Sequence, residues 1–323
     1  MLRRVSITPR PIAAGDGWRI TEFLCDAGPQ DRVFEERHRE IGIALVTRGT
    51  FRYRCVQGSA VLAPGSLLLG NSGACFECGH EHSRGDRCVS LQFTPEFFEP
   101  VVAAVPAARG IAFSVPSLPP VAELLSVLAE VQNLARMKTV DTDVACDIAL
   151  RLAGEVCGVL ADHKSTPRGP RARDERRIAA SLHRIEAEGG SRLALEDLAR
   201  EARMSAYHFL RTFEQVVGTT PGQYILRTRL RRAAVRLLES TEPVSTVAYE
   251  CGFGDLSTFN RQFRRATGVS PGQFRLRTGP VQAARPVQAA ARAAQPRASL
   301  PARGHARPQP VSVRNGPPAA KAG

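Results

Sequence analysis

The tightest constraint on this chain is a match of the sequence with itself at one fixed offset. Shifted by 50 positions, Phe209, Arg211, Phe213, Gly218, Pro221, Gly222 and Gln223 fall on Phe259, Arg261, Phe263, Gly268, Pro271, Gly272 and Gln273. Tyr224 falls on Phe274, so the aromatic character repeats as well. Agreement at a single offset means one supersecondary unit used twice. In the first unit Leu195 to Ala202 reads as a short helix, Arg203-Met204 as the turn, and Ser205 as the N-cap of a helix running to about Val217. In the second, Val244 to Cys251 is followed by a turn at Gly252-Phe253-Gly254 and a cap at Asp255. Phe209 and Phe213, like Phe259 and Phe263, stand four apart and must face a core.

That assignment turns Tyr207, Leu210, Arg211 and Glu214 outward in the first unit, and Ser257, Asn260, Arg261 and Arg264 outward in the second. Arg can fork onto guanine O6 and N7, Asn pairs with adenine N6 and N7, and Leu or Tyr packs on a thymine methyl. A merely solvated face is the alternative, but Leu210 beside Tyr207 is poor design for solvent. Between the units, Gln223 to Glu239 reads as one helix with Ile225, Leu226, Leu230, Ala234 and Leu237 inward. Arg227, Arg229, Arg231, Arg232 and Arg236 are expected largely outward, as phosphate contacts that give affinity without sequence choice. At ~1.5 Å per residue this helix is a rod of roughly 25 Å. With the widths of the flanking helices it would hold two reading helices near the ~34 Å of one duplex turn.

Charge divides the chain in the same way. Residues 1–165 carry 17 basic and 19 acidic side chains, residues 166–278 carry 20 and 12, and residues 279–323 carry 7 and 0. A basic half beside a near-neutral one implies a polyanion binder joined to a segment with another task. No window holds about 18 consecutive apolar residues, so no membrane span is expected. Arg3, Arg4 and Arg10 have no apolar run behind them, which argues against a secretory signal and for a cytoplasmic protein.

The first half is a series of short apolar runs broken by Gly and Pro. Strands are expected at Trp18–Leu24, Ile41–Thr47, Phe51–Cys55, Ser59–Leu62, Leu67–Gly70 and Cys88–Phe93, with hairpin turns at Arg48-Gly49 and Pro64-Gly65. This pattern predicts a sandwich or small barrel and disfavours a parallel α/β fold. Helical spacing then governs Leu118 to Met137 and Val144 to Leu160, a pair of helices that would close a barrel mouth or meet a second subunit. Cys146 and Cys157 there read as core residues. The expected fold class is α+β and multidomain. A barrel with two C-terminal helices spans residues 1–162, and a linker spans 163–173. An all-α domain with two helix-turn-helix units spans 174–278, and a disordered basic tail spans 279–323.

The most chemically loaded stretch holds Cys75, Cys78, His80, His82 and Cys88, in the order C-x2-C-x-H-x-H-x5-C. Two readings stand. One is a metal or redox site, in which two thiolates reach one ion and both histidines point the same way along an extended segment. The other is a strand and loop of buried thiols and solvated histidines, favoured because the spacing matches no common zinc module. No cofactor is required on either reading. A metal-dependent cupin centre is also disfavoured. Around His38 the pattern for its first three ligands reads Glu36, His38 and Gly42, and no histidine follows Pro64-Gly65 within ten residues. A barrel that holds a ligand is expected instead.

The run Gly252-Phe253-Gly254-Asp255-Leu256-Ser257-Thr258-Phe259-Asn260-Arg261-Gln262-Phe263-Arg264-Arg265, followed by Gly268-Val269-Ser270-Pro271 and Phe274-Arg275, resembles the signature of the AraC/XylS family of bacterial transcription regulators. The resemblance spans Ile178 to Arg277, and extends more weakly to the first half as a cupin-like sensor or dimerisation domain. It implies double-stranded DNA and RNA polymerase as partners. It also implies a small-molecule effector, for which a metal ion or oxidant is the alternative here, and a homodimer. It implies Tyr207, Leu210, Arg211, Ser257, Asn260 and Arg261 as base-facing residues. Ser205, Arg229, Arg232, Arg264 and Arg265 are expected on the phosphates. No enzyme is expected. The barrel lacks the His/His/Glu set of a metal oxygenase, and none of the eight cysteines has the Pro-Cys-His setting of a DNA-repair methyl acceptor.

Overall fold

The computed structural model describes residues 5–31, 33–80, 84–106, 108, 110–162, 172–188 and 193–278. Most of the expected linker, the whole expected tail and His82 therefore lie outside the described residues.

The first half is built on two antiparallel sheets. Strands β1 (Ile7–Gly15), β2 (Trp18–Cys25), β4 (Ile41–Arg48), β7 (Leu67–Gly70), β9 (Asp86–Phe93) and β10 (Ser117–Leu118) form one, in the order β1-β2-β9-β4-β7-β10. The other holds β3 (Phe34–Arg37), β5 (Phe51–Cys55), β6 (Gly58–Leu62) and β8 (Cys75–Gly79), in the order β3-β8-β5-β6. The larger sheet is covered on both faces. On one side Ile20, Ile43, Leu45, Leu69, Leu91 and Phe93 join the helices α1 (Pro95–Ala103), α2 (Leu125–Leu134) and α3 (Thr142–Asp162) in one core. On the other, Ala44, Val46, Leu68 and Cys88 meet Phe51, Tyr53 and Leu62 of the smaller sheet. Burial on both faces is why β4 and β7 read as continuous apolar runs without alternation.

Two expected hairpins are different in kind. The turn at Arg48-Gly49 joins β4 to β5, and Pro64-Gly65 joins β6 to β7, but each pair of strands belongs to different sheets. The turns carry the chain from sheet to sheet, and the true hairpin there is β5–β6, closed between Cys55 and Gly58. The helix expected from Leu118 begins only at Leu125, because Leu118 lies in β10 and Pro119-Pro120 withhold backbone donors. The helices also do not close the barrel mouth. They lie against the outer face of the larger sheet.

The second half is α-helical: α4 (Ala172–Glu188), α5 (Leu195–Glu201), α6 (Ala206–Val217), α7 (Pro221–Glu239), α8 (Val244–Glu250), α9 (Leu256–Thr267) and α10 (Pro271–Thr278). The internal repeat is visible in three dimensions. Ser205 and Asp255 cap α6 and α9 by accepting from the backbone of His208 and Thr258, and Gly218 and Gly268 end them in the left-handed region at φ 77° and 76°. Phe213 meets Tyr224 edge-on at 5.8 Å, and Phe263 meets Phe274 edge-on at 5.3 Å.

The two halves share hydrophobic cores. Helix α2 presents Val127, Leu128 and Val131 to the sheet, while Leu125 and Ala129 pack with Leu230, Ala233, Phe259 and Phe263. Val61 and Ala63 at the end of β6 join Ile178, Leu182, Phe209 and Phe213. Arg52 on β5 pairs with Glu175 on α4 at 2.5 Å, both side chains largely buried.

Candidate DNA-reading surface and effector cavity

Helices α6 and α9 each bury their phenylalanine pair and show the opposite face to solvent. Tyr207 is 71% exposed, Arg211 is exposed with its guanidinium 6.0 Å from the Tyr207 ring centre, and Leu210 is half-buried between them. On α9 Ser257, Asn260, Arg261, Arg264 and Arg265 are all exposed. Four of these, Asn260, Arg261, Arg264 and Arg265, line one open groove with Ser270 and Gly272. The Asp255 carboxyl is held below its ordinary pKa by hydrogen bonds from the Thr258 backbone and side chain, so the cap of α9 stays ionised.

The arginines of α7 are not the outward row that helical spacing predicts. Arg231 is buried and donates to Glu186 at 2.7 Å. Arg232 reaches the Glu186 backbone carbonyl, Arg227 reaches the carbonyl of Pro120, and Arg236 bridges to Glu242 and Glu250. Arg229 is half-buried, and burial lowers its pKa. The physical reason is the crowd around α7, which touches α2, α4, α6, α8 and α10 and so has no wide solvent face. Of the residues expected on phosphates, Ser205, Arg264 and Arg265 are exposed, whereas Arg229 and Arg232 are half-buried and Arg232 bonds within the protein.

Between the two sheets lies a cavity of about 630 Å³. Its walls are largely apolar, from Phe23, Phe51, Phe76 and Leu68, but Arg19, Arg37, Arg39, Glu40 and Gln92 also line it. Two of its polar places are hydrogen-bonded pairs. One is His38, whose Nε2 lies 2.8 Å from the Tyr53 hydroxyl and whose ring stacks on Phe76 at 4.1 Å. A Cβ on Gly70 would stand 2.4 Å from that ring, so only glycine lets it lie there. Burial lowers the His38 pKa to about 4 and keeps it neutral.

The other polar place corrects the expected Cys/His cluster. Cys75 to Gly79 is a strand, so Cys75 and Cys78, an odd number of positions apart, point to opposite sides and cannot chelate together. Cys75 pairs with Arg37 and is exposed, while Cys78 lines the cavity. What the fold brings together is Cys25, His80 and Asp86, with Cys88 beside them. Cys25 and Asp86 escaped the sequence reading because they meet only through the β2–β9 register, 61 positions apart, where they are direct partners. His80 is buried and its Nε2 lies 2.5 Å from Asp86 Oδ2. Burial alone would lower its pKa, but hydrogen bonds with Asp86 and Cys25 overcome that and raise it to about 9. The Cys78 and Cys88 thiols are pushed up by burial and by the Asp86 charge, which leaves them neutral and poor targets for oxidants.

Among the described residues no helix is long and apolar enough to cross a membrane. Residues 20–139 match the model of an AraC-like ligand binding domain, and residues 198–277 match that of a helix-turn-helix domain, so that together the two cover more than half of the chain. An HTH-type transcriptional regulator of Mycobacterium tuberculosis is 42% identical over 82 residues, 25% of this chain and 31% of that relative, so the chain spans about a third of its length. The HTH-type transcriptional regulator YbfI of Bacillus subtilis is 23% identical over 224 residues, 67% of this chain and 77% of that relative. Among solved structures, ToxT from Vibrio cholerae is 14% identical across 82% of this chain and 99% of its own, with a TM-score of 0.33. A ligand binding domain followed by a helix-turn-helix domain in this order, with relatives that are HTH-type regulators, shows that the chain belongs to the AraC/XylS family of transcriptional regulators.

Proposed function

We propose that this chain regulates transcription by inserting α6 and α9 into successive major grooves of double-stranded DNA, under control of a ligand held between the two sheets. The observation that carries the reading is the repeated geometry. Two helices with the same caps and the same buried phenylalanine pair each offer a solvent face of hydrogen-bonding and cationic groups. Tyr207, Leu210 and Arg211 would read bases in one groove, and Ser257, Asn260 and Arg261 in the next. Ser205, Arg264 and Arg265 would fix the register on phosphates. Helix α7, with 19 residues, sets the spacing as a rod of roughly 28 Å.

The shared cores supply a route for control. A ligand that moves β5, β6 or β8 bears on α4 and α6 through Val61, Ala63 and the Arg52–Glu175 pair. RNA polymerase as the downstream partner, and pairing of two copies on DNA, belong to the same proposal and follow from the family. Gel-shift titration on DNA upstream of the chain's own and neighbouring genes tests the reading. The Arg211→Ala, Arg261→Ala double variant should bind its operator at least about 30-fold more weakly, since each bidentate contact is worth ~1–3 kcal/mol. Undiminished binding would refute the assignment of the two reading faces.

A further inference from the structure

The donor groups at the Cys25 end of the cavity have a geometry that a salt bridge alone does not require. Cys25 Sγ, a ring nitrogen of His80 and an Asp86 carboxylate oxygen all lie within 4.8 Å of one another. Cys88 Sγ stands 3.5 Å from Asp86 Oδ1, outside that close trio, and would turn in as a fourth donor. The four come from both sheets: Cys25, Asp86 and Cys88 from β2 and β9, His80 from the residue just after β8. Around a tetrahedral ion with Zn–S near 2.3 Å and Zn–N or Zn–O near 2.0–2.2 Å, neighbouring donor atoms stand roughly 3.3–3.8 Å apart. To reach that, His80 and Asp86 would part from 2.5 Å to admit the ion between them, and the sulfurs would close in around it. The site is walled by Phe51, whose ring stacks on His80 at 5.6 Å, and it opens onto the cavity, which gives an entry path.

We propose that Cys25, His80, Asp86 and Cys88 form a binding site for one thiophilic divalent metal ion of the Zn²⁺ type, clamping the two sheets together at one end of the cavity. Two sulfurs, one imidazole and one carboxylate select a borderline-soft ion over Mg²⁺ or Ca²⁺, which prefer all-oxygen cages. On binding, the two thiols and His80 give up their protons to solvent, and no oxidant or reductant is involved. The assignment does not depend on the DNA-reading faces, and its test does not use DNA.

The full chain, purified under reductant and freed of metal, is titrated with Co²⁺ and followed by absorption. The expected result is a thiolate-to-cobalt charge-transfer band with intense visible bands of tetrahedral Co²⁺, saturating at one ion per chain and displaced by Zn²⁺. Cys25→Ser and Asp86→Asn should each weaken binding by about tenfold or more, while Cys75→Ser, at the other end of β8, binds as the unaltered chain does. Zn²⁺ should also raise the melting temperature of the unaltered chain and of Cys75→Ser but not of Cys25→Ser, since an ion that binds only the folded state stabilises it. Circular dichroism checks that each variant is folded, and Asp86→Asn carries the test if Cys25→Ser is not. Absence of the thiolate band, or an affinity in Cys25→Ser and Asp86→Asn equal to that of the unaltered chain, would overturn the proposal and leave His80–Asp86 as a plain ion pair.

Discussion

Arg203 holds φ 53° in the turn between α5 and α6, the one described non-glycine residue at positive φ. Its counterpart in the second unit is Gly252 at 89°, because Met204 and Phe253 make the same backbone bond, to Ala199 and Ala248. The repeat therefore runs at an offset of 49 through the first helix and the turn, and becomes 50 only after Gly254, an extra residue that the first unit lacks. A left-handed side chain costs ~1–2 kcal/mol, and glycine returns part of that in chain entropy. Arg203→Gly should therefore stabilise the chain by about 0.5–1 kcal/mol, read as a higher urea midpoint with an unchanged slope. A lower midpoint would mean that the arginine side chain makes a compensating contact.

His38 carries a pH signature of its own. Its folded pKa of about 4 lies below the ordinary value of 6.5, with burial as the cause. Between those values the unfolded chain takes up a proton that the native chain refuses, so stability present above pH 6.5 is lost as the pH falls towards 4. Tyr53, Phe76 and Glu36 surround the same pocket, and burial raises the Glu36 pKa above its ordinary value. The drop in urea midpoint from pH 7 to pH 5 should be smaller in His38→Gln than in the unaltered chain. An equal drop would show that His38 is protonated in the native state.

At the scale of elements, what was legible followed from periodicity and local caps. Helix α3, helices α5 to α8 and the start of α9 match the sequence expectation to within about two residues, since apolar spacing, Ser205, Asp255 and the phenylalanine pairs are all local signals. The strands that escaped have physical excuses. β1 carries Pro9 and Pro11, tolerated only because it is the edge of its sheet, and β3 is the charged edge Phe34–Arg37 of the other. β8 bears out the favoured strand at the Cys/His run, but His80 at its end is buried and not solvated. The arginines of α7 misled for another reason. Composition cannot tell a solvated arginine from one paired with a neighbouring helix. Glu186 gathers Tyr224, Thr228 and Arg231 at 3.2, 3.0 and 2.7 Å in a largely buried network. Arg231→Met would leave that carboxylate with only Arg232, 3.9 Å away, as a cation and should destabilise the fold by about 3 kcal/mol. Glu186→Gln with Arg231→Met should recover much of the loss, and thermal melts of the three variants check both statements. A loss under ~1 kcal/mol for Arg231→Met would mean that Glu186 is satisfied without it.

For the whole molecule, the exposed faces of two repeated helices and a first domain that holds a ligand were legible in the sequence, and the make-up of the cavity was not. The faces Tyr207/Leu210/Arg211 and Ser257/Asn260/Arg261 are local properties of two helices and were visible in the repeat. The cavity and its Cys25–His80–Asp86 corner are products of strand register, which joins residues far apart in the chain. The joint between the halves was invisible for the same reason, since Leu125 and Ala129 serve a core whose other members lie about a hundred residues on. The central claim is that α6 and α9 are two separate reading heads of one protein. Hydroxyl-radical footprinting of the full chain on its operator should show protected patches about 10 base pairs apart on one face of the duplex, and Arg261→Ala should erase one patch while leaving the other in place. A single patch, or two patches that both survive Arg261→Ala and Arg211→Ala unchanged, would contradict it.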